Sequence, residues 1–353
     1  MRPLRVTQKP MTENNLMTNF HKPPHFVVGV FYLAFRAVSG AYAMSILISL
    51  FIHLFMSEST SDIVAFTNST LYFMMIGTLV LLPIFLFLRR WGIVAMLLPC
   101  VIAWALWTIP AILPKSAPPV PTDATSITIL TYNLLANGRN HEGVVRIIDE
   151  ANADVVVLQE FGTDVAETLS RELSDEYPYS EFHAGGIPGM GILSRYPLEA
   201  CRLFRVVFQH QRCLLRVGDQ TVVLYNVHTM SPLTGRGFAL RQQDIDAVLM
   251  LADADREAGE TIILAGDWNM TPLSDGYEQV TAHFSDAYAQ IGQGIGFTYR
   301  LHNLGRFRFG EGIPIVRIDY VFYNAPLIAQ EARVWHENAG SDHIPVWVKL
   351  ALP

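Results

Sequence analysis

The sequence predicts an α/β domain that follows an N-terminal region of three transmembrane helices. The chain has 353 residues, of which 51% are hydrophobic and only 16% are charged, well below the ~25% charged residues of typical soluble domains. Residues 1–125 hold 8 basic and 4 acidic side chains, for a net charge of +4, whereas residues 126–353 hold 17 and 28, for a net charge of −11. This composition excludes a disordered chain and a single uniform soluble domain.

The N-terminal region contains three apolar stretches long enough to cross a bilayer, which takes about 20 residues of helix. They cover residues 38–56, 71–88 and 92–113. Soluble core helices rarely run so far without charge, and the repetition of the stretches argues against a cleavable signal peptide. We therefore predict a tail over 1–27, a three-helix transmembrane region over 28–113, a proline-rich linker over 114–125 and a folded domain over 126–353.

The basic residues predict the orientation of these helices. The tail carries Arg2, Arg5, Lys9 and Lys22, the next loop, 57–70, has no Lys or Arg, and Arg89 and Arg90 lie between the last two stretches. Basic residues favour the cytoplasmic side, so three spans place the tail in the cytoplasm and residues 126–353 outside it. Merging the last two stretches into one span would reverse the domain. Three spans and an exported domain suit a multi-pass protein of a bacterial inner membrane.

Short strand-like runs recur in the C-terminal 228 residues and alternate with helical patterns. The runs cover residues 127–132, 154–159, 191–195, 221–228, 261–266, 317–323 and 344–350. Two sets of apolar residues each share one helical face, Val144, Ile147, Ile148 and Ala151 in the first and Ile245, Val248, Leu249 and Ala252 in the second. This alternation predicts an α/β domain. We expect residues 300–314 to form a loop or hairpin near its functional site.

Polar side chains recur at the ends of the apolar runs, where α/β sheets gather ligands. They are Asn133, Glu160, His228, Asp267, Asn269, Asp342 and His343. Apart from Glu160, which comes just after the apolar run 155–158, each one taken singly is compatible with an ordinary turn, cap or buried histidine. Asp319 is different because it lies inside an apolar strand, where an unpaired carboxylate is costly, and we expect His343 to be its partner. Carboxylates, amides and imidazoles together suit a hard divalent cation and phosphate chemistry.

The order of the motifs TYNLL, LQEF, GILSRYPL, NVHT, AGDWN, RIDYVF and SDHIPVWV resembles that of the endonuclease/exonuclease/phosphatase superfamily. The resemblance covers residues 127–352. It implies a four-layer α/β sandwich of two packed mixed sheets and a Mg²⁺- or Mn²⁺-dependent hydrolysis of phosphoesters. Two departures occur: Trp268 stands where Phe or Leu is common, and the Trp-Cys-Asp-Arg signature of inositol phosphatases is absent at RIDY.

The resemblance also implies roles for the polar residues around the metal. Glu160 of LQE corresponds to the principal metal ligand. Asn133 corresponds to its helper near the metal and the phosphate, and Asp342 of SDH is expected near the metal as well.

The remaining family positions imply catalytic roles. His343 would contact the scissile phosphate or act as general acid and base, and Asp319 would fix its tautomer. Asp267 would orient or deprotonate the attacking water, while Asn269 would hold a phosphate oxygen. His228 would donate to the phosphate or protonate the leaving oxygen.

These expectations favour a membrane-anchored, metal-dependent phosphodiesterase or nuclease. It would act on a phosphoester of a nucleic acid or a phospholipid and bind the bilayer through its three spans, and no protein partner is predicted. A lipid-headgroup phosphodiesterase or phosphatase at the bilayer surface is one alternative, and a non-catalytic membrane receptor is another. The net charge of −11 over residues 126–353 opposes broad nucleic-acid binding. Arg300, Arg306, Arg308 and Arg317 form a local basic cluster that is either a phosphate-binding surface or a solvated face.

The three cysteines exclude a disulfide-dense scaffold and a four-cysteine zinc module. An oxidising compartment would permit a bridge between Cys201 and Cys213. Straight hairpin pairing about residues 208–210 instead places Cys213 opposite a residue near Arg205, which disfavours that bridge.

Overall fold

The computed structural model describes residues 25–122, 124–136, 138–232, 236–304 and 307–353, so the predicted tail 1–27 lies almost wholly outside the described residues. The N-terminal region consists of α1 (His25–Phe55), a short 3-10 helix (Glu58–Thr60), α2 (Asp62–Met74), α3 (Ile76–Phe87) and α4 (Trp91–Ile112). Helices α1 and α4 are long and apolar enough to cross a membrane. The region has a third candidate span if α2 and α3 are counted together.

The middle apolar stretch is not the single helix that the sequence predicts, because α2 and α3 meet at an angle of 55°. At the bend the Met74 carbonyl accepts a hydrogen bond from the Tyr42 hydroxyl. The Thr78 amide, which would donate to Met74 in a continuous helix, donates to the carbonyl of Met75 at 2.9 Å. Gly77 permits this approach, since a Cβ there would lie 2.5 Å from the Tyr42 hydroxyl oxygen. Pro83 lies within α3 and not at the bend.

The C-terminal domain is an α/β sandwich of two mixed sheets and a separate hairpin. Its elements are β1 (Thr125–Asn133), α5 (His141–Ala151), β2 (Val155–Gln159), α6 (Thr163–Glu172), β3 (Tyr179–His183), β4 (Met190–Ser194), β5 (Leu198–Arg205), β6 (Gln209–Val217), β7 (Gln220–His228), α7 (Gly237–Glu257), β8 (Thr261–Asp267), α8 (Asp275–Thr281), β9 (Ser285–Asp286), α9 (Ala287–Ile291), β10 (Tyr299–Leu304), β11 (Phe307–Val316), β12 (Asp319–Tyr323), β13 (Ile328–Val334) and β14 (Val346–Leu352). The first sheet has the order β13-β14-β1-β2-β4-β3, the second has the order β5-β6-β7-β8-β12-β9, and β10 pairs with β11.

Apolar side chains of both sheets form the central core, and helices cover the two outer faces. Val155 and Val157 of the first sheet pack in one cluster with Leu224 and Ile263 of the second. The outer face of the first sheet packs against α5 and α6, and that of the second packs against α7 and α8. The predicted four-layer sandwich is therefore confirmed.

The seven predicted strand runs correspond to β1, β2, β4, β7, β8, β12 and β14, and residues 300–314 fall in the β10–β11 hairpin. The two predicted helical faces lie on α5 and α7 and point into the outer clusters. None of the seven runs covers β3, β9 or β13, and β5 and β6 are expected only as a hairpin about residues 208–210, without strand bounds. Strand β5 shows why: it lies at a sheet edge, and its side chains are exposed or half-buried, so no buried stripe marks it.

The structure corrects the expectation about the cysteines. Arg205 pairs with Gln209 and Arg202 with Arg212, so the β5–β6 hairpin is centred near residue 207 and not at 208–210. That register brings Cys201 opposite Cys213, and the two form a disulfide. The turn begins earlier than expected, and the register of β5 shifts between Glu199 and Arg202, the segment that contains Cys201.

Candidate active site

The register of the second sheet sets three polar residues side by side. Strand β8 lies between β7 and β12, and Asp267 at its end has His228 as its partner on β7 and Asp319 as its partner on β12. Because β8 runs parallel to β7 and antiparallel to β12, the end of β7 and the start of β12 meet at Asp267. The alternation of strand directions thus explains why residues 228, 267 and 319 converge.

The first sheet contributes two residues to the same place. Asn133 ends β1, and Glu160 directly follows the neighbouring strand β2. The Asn133 side-chain amide lies 3.0 Å from Oδ2 of Asp267 and 3.4 Å from Oε1 of Glu160, so it links the two sheets. Glu160 has a left-handed φ of 53°, and its Oε2 accepts the Ala136 amide at 2.9 Å.

The predicted pairing of Asp319 with His343 is confirmed. Nδ1 of His343 lies 2.9 Å from Oδ2 of Asp319, and its Nε2 lies 3.7 Å from Oδ2 of Asp267. Burial lowers the pKa of His343, but the Asp319 and Asp267 carboxylates outweigh burial and raise that pKa to about 10. The two carboxylates thus favour the imidazolium form of His343, with Nδ1 facing Asp319 and Nε2 facing Asp267.

Asp267 and Asn269 form a compact turn beside this pair. The Asn269 amide nitrogen donates to Oδ1 of Asp267 at 2.9 Å, and its side-chain amide donates to Oδ2 at 3.1 Å and to the Thr229 carbonyl at 2.9 Å. Burial raises the pKa of Asp267 to about 7, although the charge of His343 lowers it in part. A carboxylate with this pKa can exchange a proton near neutral pH.

His228 is buried and has the opposite electrostatic character from His343. Its Nε2 lies 3.8 Å from Oδ2 of Asp267 and 4.0 Å from Oε1 of Glu160, and the Phe208 ring meets it edge-on at 4.8 Å. Burial lowers the pKa of His228 to about 3, with a further lowering from the charge of His343. This imidazole is neutral at physiological pH, so it can donate a hydrogen bond but carries no charge.

Asp342 is half-buried between Ser341 and His343. Its main-chain carbonyl accepts the Arg300 amide at 2.7 Å. Burial contributes most to the raised pKa of Tyr299, and the Asp342 carboxylate raises it further. The Tyr299 ring packs edge-on against the imidazole of His343, with 5.4 Å between the ring centres. All eight predicted site residues thus lie at the same end of the sandwich.

The chemistry of this end fits a divalent cation. Four carboxylates lie at this end of the sandwich, from Glu160, Asp267, Asp319 and Asp342, and oxygen ligands are those that Mg²⁺ and Mn²⁺ prefer. The raised pKa of Asp267 reflects buried negative charge, which a cation would stabilise. One ligand atom from each of Asp267, Asp319 and His343 lies within 4.8 Å of the others, so this group is a candidate cation site beside the expected set of Asn133, Glu160 and Asp342.

Several supporting residues were not predicted. The Thr298 hydroxyl accepts a hydrogen bond from the Asp319 amide at 3.2 Å. The Asp244 carboxylate accepts hydrogen bonds from the amides of Val207 and Phe208, and the ring of Phe208 packs on His228. Arg241 on α7 donates to the main-chain carbonyl of Asn269 at 2.8 Å. A single Thr, Asp or Arg among other polar residues gives no sequence signal for a contact with a distant residue. No sequence pattern could therefore have identified these three residues.

The proposed basic cluster is only partly described. Arg306 lies outside the described residues, and for Arg308 the structure describes the main chain alone. Arg317 is buried and forms a 2.7 Å ion pair with Asp286, and its guanidinium lies 4.7 Å from the centre of the Tyr320 ring. Arg317 is thus a packed core cation, neither a solvated face nor an open phosphate ligand.

Comparisons with known proteins agree with this architecture. The model of the Endonuclease/Exonuclease/phosphatase family matches residues 130–343, more than half of the chain, whereas no curated protein matches the sequence.

Solved structures share the fold at low sequence identity. A conserved protein of unknown function from Enterococcus faecalis V583 superposes with a TM-score of 0.53 at 15% identity, over 64% of this chain and 100% of its own. Truncated Caenorhabditis elegans TDP2 gives 0.52 at 18% identity, over 64% and 97%. D. rerio TDP2 complexed with single strand DNA product gives 0.50 at 16% identity, over 64% and 99%. The family match, the two packed sheets and the cluster at their shared end lead to one conclusion: this chain is a member of the endonuclease/exonuclease/phosphatase family.

Proposed function

We propose that this protein is a divalent-metal-dependent phosphodiesterase or nuclease, anchored by its N-terminal helices with the C-terminal domain on the outer face of a bacterial inner membrane. The observation that carries the proposal is the meeting of Glu160, Asp267 and the Asp319–His343 pair at one end of the sandwich. Family membership and the likeness to a TDP2 bound to a single-stranded DNA product support a phosphodiester substrate.

The protonation states suggest which residue acts as general base, which acts as general acid and which donate hydrogen bonds. Water attacks the phosphorus and gives its proton to Asp267, whose pKa is near neutral. The ester P–O bond breaks, and the leaving oxygen takes a proton from the His343 imidazolium. Neutral His228 and the Asn269 amide donate hydrogen bonds to the phosphate oxygens. Asp319 keeps the second nitrogen of His343 occupied, so that only Nε2 faces the substrate.

For the metal, we propose Glu160 as the principal ligand, with Asn133 and Asp342 beside it. A bound divalent cation would stabilise the negative charge that develops on the phosphate oxygens. Glu160 suits this role because its carboxylate is partly exposed at the site, with a side-chain exposure of 19%, whereas that of Asp319 is 1% exposed.

The test uses the full chain in detergent with Mg²⁺ or Mn²⁺, on DNA, RNA and bis-p-nitrophenyl phosphate. We expect turnover that EDTA abolishes and that Glu160→Gln and His343→Gln each reduce by about 10²-fold or more. Asp219→Asn is the matched control, because Asp219 is an exposed carboxylate in the β6–β7 turn. Turnover that survives both site substitutions, or metal binding without turnover on any of these substrates, would contradict the proposal.

A second candidate, hydrolysis of a phospholipid headgroup ester, is favoured by a specific cavity. A pocket of about 240 Å³ lies between the N-terminal helices and the C-terminal domain, and its lining includes Tyr72, Trp107, Leu273, Phe297 and Lys115. Most of these side chains are apolar or aromatic, and Trp107 lies in the last two turns of α4, a helix apolar enough to span a membrane. An aromatic cavity at a helix end beside a cation suits the acyl chain and anionic head of a bilayer lipid.

Filling the cavity separates the two substrate classes. With the protein in phospholipid vesicles, we expect Leu273→Trp to raise KM for a vesicle phospholipid about tenfold and to leave KM for bis-p-nitrophenyl phosphate unchanged. Met250→Trp is the control, because Met250 is an apolar residue 67% exposed on α7. No turnover of vesicle phospholipid by the wild-type chain would exclude the lipid substrate and leave the nuclease proposal standing.

A further inference from the structure

We propose that Glu58, on the loop between α1 and α2, acts through Arg241 to position Asn269, so that the N-terminal helical region completes the active site and does more than anchor it. The inference rests on the proposed function, in which Asn269 holds a phosphate oxygen. It makes Arg241 and Glu58 positioning residues, since neither is placed to touch the substrate.

Arg241 is the central link. It lies on α7 with only 1% of its side chain exposed. Nη1 donates to the Asn269 carbonyl at 2.8 Å, and Nη2 donates to Oε2 of Glu58 at 2.8 Å. The guanidinium also packs 5.2 Å from the centre of the Phe238 ring. One planar side chain therefore joins the loop of the N-terminal region to the main chain of a site residue.

The loop that carries Glu58 is itself fixed on the C-terminal domain. Both the Ser57 hydroxyl and the Glu58 amide donate to Oδ2 of Asp275, at 2.6 and 2.8 Å. Asp275 begins α8, close in the chain to the turn that carries Asn269. The Glu58 side chain is 7% exposed, so this contact is a buried interface and not a surface ion pair.

Asn269 lies in a left-handed turn, with a φ of 48°. Few residues other than glycine and asparagine adopt this conformation readily, so its contacts fix the direction in which the side chain leaves the main chain. The amide and side chain of Asn269 are held by Asp267 and Thr229, and Arg241 holds the remaining polar main-chain group, the carbonyl. With all of these contacts in place, the Asn269 side chain has a fixed position at the site.

Loss of Glu58 would leave the Arg241 charge buried without its carboxylate. Removing one partner of a buried ion pair is far more disruptive than replacing both by apolar residues. Arg241 is then expected to turn toward water or toward another acceptor and to release the Asn269 carbonyl. A comparison of variants that lose one partner with a variant that loses both therefore separates a positioning role from a purely structural one.

The experiment compares four full-length variants in detergent: Glu58→Gln, Arg241→Met, the double variant Glu58→Leu with Arg241→Met, and Asp62→Asn. Asp62 is the matched control, an exposed carboxylate in the first turn of α2. Three quantities are measured for each variant: thermal stability, kcat and KM for bis-p-nitrophenyl phosphate with Mg²⁺ or Mn²⁺, and hydrogen exchange of the main chain over residues 268–274.

We expect both single variants to lower stability and to reduce kcat about tenfold with a smaller change in KM. In the double variant stability recovers, because no buried charge is left unpaired, while kcat stays low and residues 268–274 still exchange faster than in the wild type. Asp62→Asn resembles the wild type in all three measurements.

Two results would overturn the inference. One is recovery of kcat and of slow exchange together with stability in the double variant, which would make the pair a structural contact only. The other is wild-type exchange and kcat in Glu58→Gln. If the wild-type chain turns over no substrate, the proposed function fails separately, and the exchange and stability measurements still decide whether Glu58 positions Asn269.

Discussion

The two histidines of the site lie within reach of the same carboxylate, yet their surroundings favour a charged imidazolium at one and a neutral imidazole at the other. His343 has a carboxylate at each nitrogen, Asp319 at Nδ1 and Asp267 near Nε2. His228 has a buried Nδ1 without a partner among the described residues, and an aromatic edge against its ring. Environment, and not residue type, thus sets which histidine is charged and which is neutral.

This difference predicts the effect of Asp319→Asn on His343. The substitution removes the carboxylate that contributes most to raising the pKa of His343, so that pKa falls from about 10 toward or below the ordinary value of 6.5. In the wild type the imidazolium contributes stability that is fully present below pH 6.5 and is lost as the pH rises toward 10. In the variant that stability is lost at a lower pH than in the wild type. Histidine-selective NMR titration of the metal-free full chain measures the shift, with His343→Gln to assign the signal. An unchanged titration would show that Asp319 does not control this proton.

A second prediction at the residue scale concerns the metal. If Glu160 is the principal ligand, Glu160→Gln weakens Mn²⁺ binding by at least about tenfold, whereas Asp319→Asn, which removes only an orienting contact, changes it less. Isothermal titration calorimetry on the full chain measures both. The reverse order of effects would place the ion in the group formed by Asp267, Asp319 and His343.

At the scale of the element, the sequence predicted what repeats locally and missed what depends on distant partners. Strand ends with Asn133, Glu160, His228 and Asp267 were visible because each follows a short apolar run. The bend between α2 and α3 depends on Tyr42, more than thirty residues away from its Met74 acceptor. The contact between Glu58 and Arg241 spans 183 positions. Periodicity reports only local neighbours, so neither was accessible from it.

The pairing of β7 with β8 yields a prediction at this scale. A Cβ at Gly266 would lie 1.9 Å from the main-chain carbonyl oxygen of Val227, one position before the paired His228 and Asp267. Since a main-chain atom cannot move aside cheaply, Gly266→Ala should cost about 2–3 kcal/mol of stability and also displace the site. Thermal unfolding and turnover of the full chain measure both effects. Gly162→Ala is the control, because its nearest neighbour would be an ordinary 3.8 Å away, and an equal loss in the two variants would contradict the argument.

On the scale of the whole molecule, the contacts agree with an odd number of spans. The loop after α1 and the end of α4 both touch the C-terminal domain, through Asp275 and through a 2.9 Å bond from the Gly294 amide to the Ala111 carbonyl. At the opposite end, Arg90 between α3 and α4 donates to the Tyr32 hydroxyl in the first half of α1. The basic turn and the C-terminal domain thus lie at opposite ends of the helices, the arrangement expected for the proposed three spans.

This arrangement predicts the side of the membrane on which the domain lies. Basic residues are retained in the cytoplasm, so the turn of Arg89 and Arg90 should face the cytoplasm and the C-terminal domain should face outward, where a disulfide between Cys201 and Cys213 can persist. In a bacterial host, alkaline phosphatase fused after Pro353 should be active and green fluorescent protein fused there should be dark. Replacing Arg89 and Arg90 by Glu should weaken this preference, whereas replacing exposed Arg171 and Arg202 of the C-terminal domain by Glu should not. A fluorescent fusion on the wild-type chain would place the domain in the cytoplasm and contradict this orientation.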